Sequence, residues 1–347
     1  MCNFHHRDDS EFTGSRASYR WDFQGWSRNK YGDSDIRNPE YVDLNNLVVT
    51  NTVMLYGHYL EKDSLVTPSK AEYFTMNGST ISLKNDTQLK WQLSGKITVP
   101  NELNGVTVKT IGNFSDAPNI TEVYFLNDSQ VEIVGREAFY NVNCGNAGLL
   151  KTEAIYLPYS IREIETGAFD TMVSLKTVTL NDNITKIGDQ AFRSIANVPM
   201  QLTVNELPSS LTYLGFSAFQ SGGPNVKITT IPSGLEEIQG YAFSRCENVK
   251  VTQFGGPHSN LRVIGAQSFN AAGTGTEGAD LEEITIGASI KVIGSKAFQE
   301  YGRNTLRNAY FANDPDTYYV SSTGANPAVI TPGDMGFDTT INVIQLP

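Results

Sequence analysis

The chain has 347 residues, with 26 Lys and Arg against 37 Asp and Glu, so its formal net charge is −11 at pH 7. Residues 1–95 carry 10 basic and 12 acidic side chains, which leaves 16 basic and 25 acidic ones in residues 96–347. Because phosphate groups are bound by clustered Lys and Arg, this acidic excess argues against nucleic acid and anionic membrane surfaces as partners. The uninterrupted apolar runs are too short for a spanning helix, so no membrane insertion is expected.

The cysteines and the N-terminus give limited information on location. Cys2, Cys144 and Cys246 are odd in number and far apart, so the sequence predicts no disulfide framework. Cys246 is expected to be a small buried hydrophobe. The residues after Met1 are polar, so no signal peptide is visible.

Residues 1–40 are polar and rich in Arg, Asp and Ser, with Trp21, Phe23 and Trp26 close together. Two interpretations remain open for this segment, a flexible leader with locally packed aromatic residues or an arm that anchors the chain to a partner. Residues 41–95 mix short apolar runs with Asn, Thr and Ser, which is typical of irregular β structure. We expect them to cap the following region.

A nine-residue motif recurs seven times after residue 130. It begins with a large apolar residue, has a second apolar residue at its fourth position, and ends in Ala-Phe or Ser-Phe, as in I-T-K-I-G-D-Q-A-F from Ile184 to Phe192. Consecutive phenylalanines are 23 to 30 residues apart, a period that is typical of solenoids. The motifs predict a structural ladder of stacked phenylalanines, which are Phe139, Phe169, Phe192, Phe219, Phe243, Phe269 and Phe298.

Between the motifs lie short alternating segments such as Leu175-x-x-Val178-x-Leu180, which predict half-buried strands. Burying the apolar side chains of one repeat gains about 10 kcal/mol, whereas ordering its backbone costs about 30 kcal/mol. Repeats must therefore stack. The predicted fold is mainly β with short helical turns, a right-handed solenoid of about 8–9 units over residues 96–312 with one parallel sheet. Residues 313–347 form a C-terminal cap whose last strand lies between Ile341 and Leu346.

The outward positions of the predicted strands are rich in Thr and Tyr. Such a surface is suited to binding a protein or glycan, because tyrosine offers rigid amphipathic contact area. The alternative is that Thr and Tyr are simply favourable residues on solvated strands. The candidate binding residues are Tyr124, Tyr156, Thr177, Thr179, Thr203, Thr252, Thr285 and Tyr310. Insertions at residues 141–151 and 270–280 are further candidate contacts, as loops along one border of the solenoid.

Catalytic and metal-binding patterns are weak. The stretch from Gly273 to Gly278 fits G-x-G-x-x-G, but it precedes a predicted strand, whereas a dinucleotide site requires the opposite order. His5 and His6 are adjacent on a polar arm, and His58 and His258 have no recognisable catalytic partner in the sequence. We therefore expect no enzyme activity, catalytic residue, metal site or cofactor.

From about residue 91 to residue 347, the repeated motif and the entry segment from Ile97 to Gly112 resemble the BspA-like leucine-rich-repeat family of bacterial surface proteins. The resemblance implies an extracellular or cell-surface location and adhesion to host or matrix proteins. The function favoured here is a non-catalytic scaffold for a protein or glycan partner. The alternatives are a structural or accessory virion component, held in a larger assembly by its N-terminal arm, and more distantly a secreted hydrolase.

Overall fold

The structure is a computed structural model. It describes residues 21–27, 56–61, 69–115, 117–126, 128–140, 151–194, 198, 201–275, 281–313, 319–320, 328–329, 331–337 and 339–347. For the strands at 21–27, 56–61, 319–320 and 328–329 only the backbone is described. The chain divides into two units, Met1–Thr67 and Pro68–Pro347.

The described part of the first unit is one antiparallel strand pair. Strand β1 (Trp21–Ser27) pairs with β2 (Tyr56–Glu61), and the register shifts between Phe23 and Gly25, as at a β-bulge. Trp21, Phe23 and Trp26, which the sequence analysis assigned to an anchoring arm, all lie on β1. The sequence analysis did not predict β1, and it described residues 41–95, which contain β2, only as irregular β structure.

The second unit contains very little helix. In its described residues the α-helix is α1 (Thr87–Gln92), and short 3-10 turns lie at Ala71–Tyr73 and Gly223–Asn225. Helix α1 begins after Asp86, whose carboxylate accepts a hydrogen bond from the Leu89 N–H at 3.0 Å. That bond satisfies one of the free N–H groups of the first turn.

The strands of the second unit are short. In chain order they are β3 (Phe74–Asn77), β4 (Thr80–Leu83), β5 (Ser94–Val99), β6 (Glu102–Leu103), β7 (Val106–Thr107), β8 (Thr110–Ile111), β9 (Asn119–Phe125), β10 (Ile133–Val134), β11 (Ala154–Ile155), β12 (Glu163–Ile164), β13 (Thr177–Val178), β14 (Lys186–Ile187), β15 (Tyr213–Leu214), β16 (Glu237–Ile238), β17 (Gln253–Phe254), β18 (Val263–Ile264), β19 (Glu283–Ile286), β20 (Val292–Ile293), β21 (Asn308–Phe311), β22 (Tyr319–Val320), β23 (Ala328–Val329) and β24 (Asn342–Gln345).

These strands form a stacked solenoid with two β sides. One side is a 12-stranded sheet, called the long sheet below, in the order β23-β22-β20-β18-β16-β15-β14-β12-β10-β8-β4-β3. The other side, called the strand side, has a four-stranded sheet β13-β11-β9-β5 and a second one, β17-β19-β21-β24, while β6 and β7 form a separate hairpin. From β8 to β20 the long sheet has one strand per turn of the solenoid, with parallel pairing throughout. The fold is therefore a mainly β solenoid of about eight turns.

The predicted parallel strands are present, but the prediction of one sheet was wrong. The sequence analysis placed the sheet on segments such as Leu175–Leu180, whereas the continuous sheet is built by the third and fourth residues of each motif. On the strand side the described pairing is interrupted between β13 and β17, where the structure has the isolated parallel bridge Val204–Val226. The motif has a constant length and the segment before it does not, so the motif keeps its register more easily.

The seven motif phenylalanines lie in a single file inside the solenoid. Neighbouring ring centroids from Phe139 to Phe298 are 5.0–5.8 Å apart, with planes within 29° of parallel. Phe114 extends the file by a tilted contact at 5.5 Å, and Phe337 stacks on Phe298 at 5.1 Å. The sequence analysis missed these end rings because neither follows Ala or Ser.

Backbone hydrogen bonds tie the same turns together. The N–H of each motif phenylalanine donates to the carbonyl of the eighth motif residue in the next turn, as from Phe192 to Ala218 at 2.8 Å. At the C-terminal end the Phe298 N–H donates to the Met335 carbonyl at 2.8 Å. The segment around Met335 and Phe337 thus acts as a final, imperfect copy of the motif. It satisfies the hydrogen-bonding groups that an open solenoid end exposes.

The motif turn has a left-handed residue at its seventh position. Gln190 has φ 56° and Ser217 has φ 55°, a conformation that costs non-glycine residues about 1–2 kcal/mol. Their N–H groups donate to backbone carbonyls of the next turn, at 2.8 Å for Gln190 and 2.9 Å for Ser217. Repeated inter-turn bonding therefore holds a local conformation that these residues would avoid in isolation.

Glycine at the fifth motif position has a different cause, which is close approach of neighbouring turns. A Cβ on Gly188 would lie 2.7 Å from backbone atoms of Glu165 and Thr166. On Gly294 it would lie 2.2 Å from the Ala266 nitrogen. Stacked turns touch backbone to backbone at these points.

Candidate functional site

The outer surface of the first four-stranded sheet carries a stacked tyrosine pair. Tyr124 on β9 and Tyr156 after β11 lie in adjacent strands, with ring centroids 4.8 Å apart and an interplanar angle of 27°. Both side chains are partly exposed, whereas the flanking Val123 and Ile155 are buried, as strand alternation requires. The sheet thus presents two aromatic rings on a rigid base.

Two charged side chains extend this pair into what is called the tyrosine cluster: Lys96, Glu122, Tyr124 and Tyr156. The Lys96 ammonium lies 5.3 Å from the Tyr124 ring centroid and 3.6 Å from the Glu122 carboxylate. The Tyr124 hydroxyl donates a hydrogen bond to Glu122, whose residue is only 4% exposed. Lys96, Glu122 and the Tyr124 hydroxyl therefore hold one another, and the Tyr124 ring has little freedom to move.

The predicted threonines lie on the same side, toward the middle of the solenoid. Thr177, Thr179, Thr203 and Thr252 are exposed, and Thr285 is partly exposed. Thr177 lies on β13, in register with Ala154. Thr203 and Thr252 fall in the interrupted part between β13 and β17. The threonines therefore share a side of the molecule but do not form one regular ladder.

The second four-stranded sheet carries another polar network around Tyr310. The Tyr310 hydroxyl donates to Glu283 at 3.1 Å, and the Asn308 amide donates to the same carboxylate oxygen at 2.9 Å. Asn342 continues the row with a 3.0 Å bond to Asn308. The hydrogen bond to Glu283 raises the pKa of the Tyr310 hydroxyl, so this group stays a neutral donor.

This arrangement is suited to contact and offers no evident reactive group. Cys246 is fully buried, its thiol donates to the Phe219 carbonyl at 3.0 Å, and burial raises its pKa to about 12. His258 is exposed on a turn. Among the residues that the structure describes, no group of three or more His, Cys, Asp or Glu side chains is arranged to hold a metal ion.

Sequence reasoning missed several outward residues of the long sheet. At the third motif position the outward row runs through Glu163, Lys186, Tyr213 and Glu237. Phe216, at the sixth position, is among the most exposed large apolar residues. A usable signal was present, because Tyr213 and Phe216 place rings at motif positions where no other copy has an aromatic residue.

The predicted border loops fall largely outside the described residues, at 141–150 and 276–280. Three residues after the motif phenylalanine, the described occupants Met172, Gly222, Cys246, Ala272 and Tyr301 are all buried. This position therefore faces inward.

Comparison with known proteins identifies the repeat. The family model described as "BspA type Leucine rich repeat region" matches six copies, over residues 147–273 and 197–304. This part of the chain is a BspA-type leucine-rich-repeat region. The repeats of this region supply the motif phenylalanines from Phe169 to Phe298 and half of the strands of the long sheet, from β12 to β20. A search of curated proteins finds no match to the chain.

Several solved structures are similar to the chain. A leucine-rich-repeat protein of T. pallidum is 22% identical with a TM-score of 0.46, covering 59% of this chain and 88% of its own. One from Bacteroides ovatus is 20% identical, with a TM-score of 0.45 and coverage of 71% and 64%. A leucine-rich cell surface protein of Faecalibacterium prausnitzii is 18% identical, with a TM-score of 0.44 and coverage of 74% and 73%. Across the described parts of this chain, no helix is long and apolar enough to cross a membrane.

Proposed function

We propose that this chain is a non-catalytic interaction scaffold that holds a protein or glycan partner on its strand side and border loops. A leucine-rich-repeat region is consistent with a protein-interaction role. Binding on the strand side is supported by the tyrosine cluster. Lys96 and Glu122 hold Tyr124, whose partly exposed ring stacks on that of Tyr156.

Preorganisation is the physical argument for binding at this place. Immobilising a mobile side chain on binding costs about 0.5–1.5 kcal/mol, and a ring that is already stacked and hydrogen-bonded avoids most of that cost. Tyrosine also offers an apolar face to a sugar ring or an aliphatic side chain, while its hydroxyl keeps a polar contact. Thr177 on the neighbouring strand β13 and Thr179 just after it are exposed, and they add hydroxyl groups beside the rings.

The biological setting belongs to the proposal as well. The resemblance to BspA-like proteins supports adhesion at a cell surface, with residues 1–40 as an arm, 41–95 and 313–347 as caps, and 96–312 as the binding solenoid. The virion alternative depends on residues 1–40, of which only 21–27 are described. It stays a prediction.

The test is to screen the full chain against an array of glycans and a panel of purified extracellular matrix proteins, and then to repeat positive binding with the Tyr124→Ala/Tyr156→Ala double variant. We expect the affinity to fall about tenfold or more, since two central aromatic contacts are removed. Trp91→Ala is the matched control, because it removes an exposed ring from helix α1 instead.

Binding that survives the double variant unchanged would place the contact elsewhere and contradict the strand-side proposal. Equal losses in the double variant and in Trp91→Ala would point to a general loss of structure. Melting curves of all three proteins separate that outcome from a specific one.

A further inference from the structure

The long sheet carries an exposed aromatic patch at its centre, formed by Tyr213, Phe216 and Tyr241. Tyr213 is 37% exposed and Phe216 is 42% exposed, and Tyr241 is partly exposed. The Phe216 and Tyr241 rings meet edge to face, with centroids 5.4 Å apart. Large apolar side chains at neighbouring exposed positions on a soluble surface often mark an interaction site.

Contacts with the preceding and following turns hold the side chains of the patch in place. One oxygen of the Asp189 carboxylate accepts the Phe216 N–H at 2.8 Å and the Tyr213 hydroxyl at 3.2 Å. In the next turn Gly240 has no side chain, and a Cβ placed there would lie 3.3 Å from the Phe216 ring. The ring of Phe216 therefore lies across two turns, in space that a glycine leaves open.

The charges around the patch are mostly negative. In the three motifs from Ile184 to Phe243 the acidic residues are Asp189, Glu236 and Glu237, and the one basic residue is Lys186. Lys186 lies beside Tyr213 in the sheet register, but its ammonium is paired with Glu163 at 3.2 Å. The following turn adds Arg262, in register with Glu236, so a partner that approaches the rings meets a small excess of negative charge.

Glu237 is the acidic residue next to Tyr213 on the outer surface of the long sheet. It follows Tyr213 in the outward row of the long sheet, since Leu214 and Ile238 are register partners. Within the described residues no cation or hydrogen-bond donor pairs with its carboxylate, and partial burial raises its pKa. A partly desolvated carboxylate beside an aromatic ring gains strongly from a cation supplied by another molecule.

We propose that the aromatic patch, together with Glu237, binds an extended segment of a partner protein through an Arg or Lys side chain. The cation lies over the Tyr213 and Phe216 rings and pairs with the Glu237 carboxylate. Cation–π attraction and a charge-assisted hydrogen bond then act on the same group. A neutral glycan supplies no such cation, and an acidic partner is repelled by Asp189, Glu236 and Glu237.

The experiment uses the full chain and an array of immobilised 12-residue peptides of random sequence. We expect the bound peptides to be enriched in Arg or Lys. The tightest peptide is then resynthesised with a fluorescent label, and its Kd is measured by anisotropy for the unsubstituted chain and for Glu237→Gln. The substitution keeps the shape and removes the charge, so we expect Kd to rise about tenfold.

Glu153→Gln is the matched control. It changes the net charge by the same amount on the strand side, and its carboxylate is paired with Lys176 at 3.1 Å, away from the aromatic patch. We expect less than a twofold change in Kd. Phe216→Ala is a second probe, and Glu237→Gln alone decides the test if Phe216→Ala lowers the melting midpoint.

Three results would overturn the proposal: bound peptides without cationic enrichment, an unchanged Kd in Glu237→Gln, or an equal rise in Glu153→Gln. Competition by free spermidine at the same concentration as the peptide would also overturn it, since the surface would then recognise a bare cation. The inference does not rest on the strand-side function. Tyr156→Ala is expected to leave peptide binding intact, so each surface can fail without the other.

Discussion

The two β sides of the solenoid differ in regularity although the same turns build both. The long sheet runs from β3 to β23 with one short strand per turn in its centre. The strand side has two four-stranded sheets with a single described bridge between them, Val204–Val226. Regular pairing thus follows the motif of constant length.

Spacing along the chain explains the difference. Register-paired strand residues lie six positions before the next motif at Ile155 and Val178, but eight at Val123 and four at Ile286. At the bridge the offsets are seven from Val204 to Leu211 and nine from Val226 to Leu235. Residues between the strand side and the motif absorb this variation, whereas the motif itself keeps a constant length. Insertions are accommodated on one side while the other keeps the stack in register.

The largest expected effect comes from opening a cavity in the phenylalanine file. Phe192 is fully buried and stacked between Phe169 and Phe219 at 5.0 and 5.2 Å. We expect Phe192→Ala to lower the free energy of unfolding by about 3–5 kcal/mol, as measured by chemical denaturation. The control is Thr203→Ala on the exposed strand side, which is expected to change it by less than about 0.5 kcal/mol. Similar losses in both would remove the contrast between the two sides.

The next largest effect is expected from adding a side chain where adjacent turns are in close contact. Gly188→Ala places a methyl group 2.7 Å from the backbone of the previous turn, so we expect about 1–3 kcal/mol of destabilisation. Gly234→Ala is the control, because its nearest atom would be at an ordinary 3.5 Å. A thermal melt that shows the same shift for both variants would contradict the backbone-to-backbone contact.

Removing the conformational strain of a left-handed, non-glycine residue is expected to stabilise the chain. Gln190 has φ 56°, whereas Gly167 occupies the same motif position in the preceding turn. Gln190→Gly keeps the inter-turn N–H bond and removes a conformational cost of about 1 kcal/mol, which the greater freedom of glycine in the unfolded chain partly offsets. Denaturant titration should show a small gain. A loss would mean that the Gln190 side chain itself supports the turn.

The smallest effect on stability is expected from the exposed strand side. Thr179→Val keeps the β-branched shape at an exposed position, so we expect a change within about 0.5 kcal/mol in the free energy of unfolding. Loss of partner binding at unchanged stability would sharpen the comparison, since this side would then serve contact more than folding. A large drop in the melting midpoint would show a structural role instead.

The fold was largely accessible from the sequence and the surface much less so. Motif spacing predicted stacking, the inward position of Cys246, and a strand near the C-terminus, which the structure has at Asn342–Gln345. It misplaced the continuous sheet, because a two-residue strand such as Lys186–Ile187 is too short to show alternation. It assigned no binding role to Glu122, Lys96 or Glu237, since charged residues on strands carry no signal of what they touch.

The sequence by itself determined the repeat and the file of inward aromatic residues, because apolar spacing is a local property that is present in every copy of the motif. Only the tertiary structure decided which side carries the unbroken sheet and which side chains meet across turns. Tyr124 and Tyr156, or Glu237 and Tyr213, are more than twenty residues apart in the chain and become neighbours only when turns stack. Contacts between turns depend on insertion lengths and backbone register, and these are settled when the whole solenoid packs.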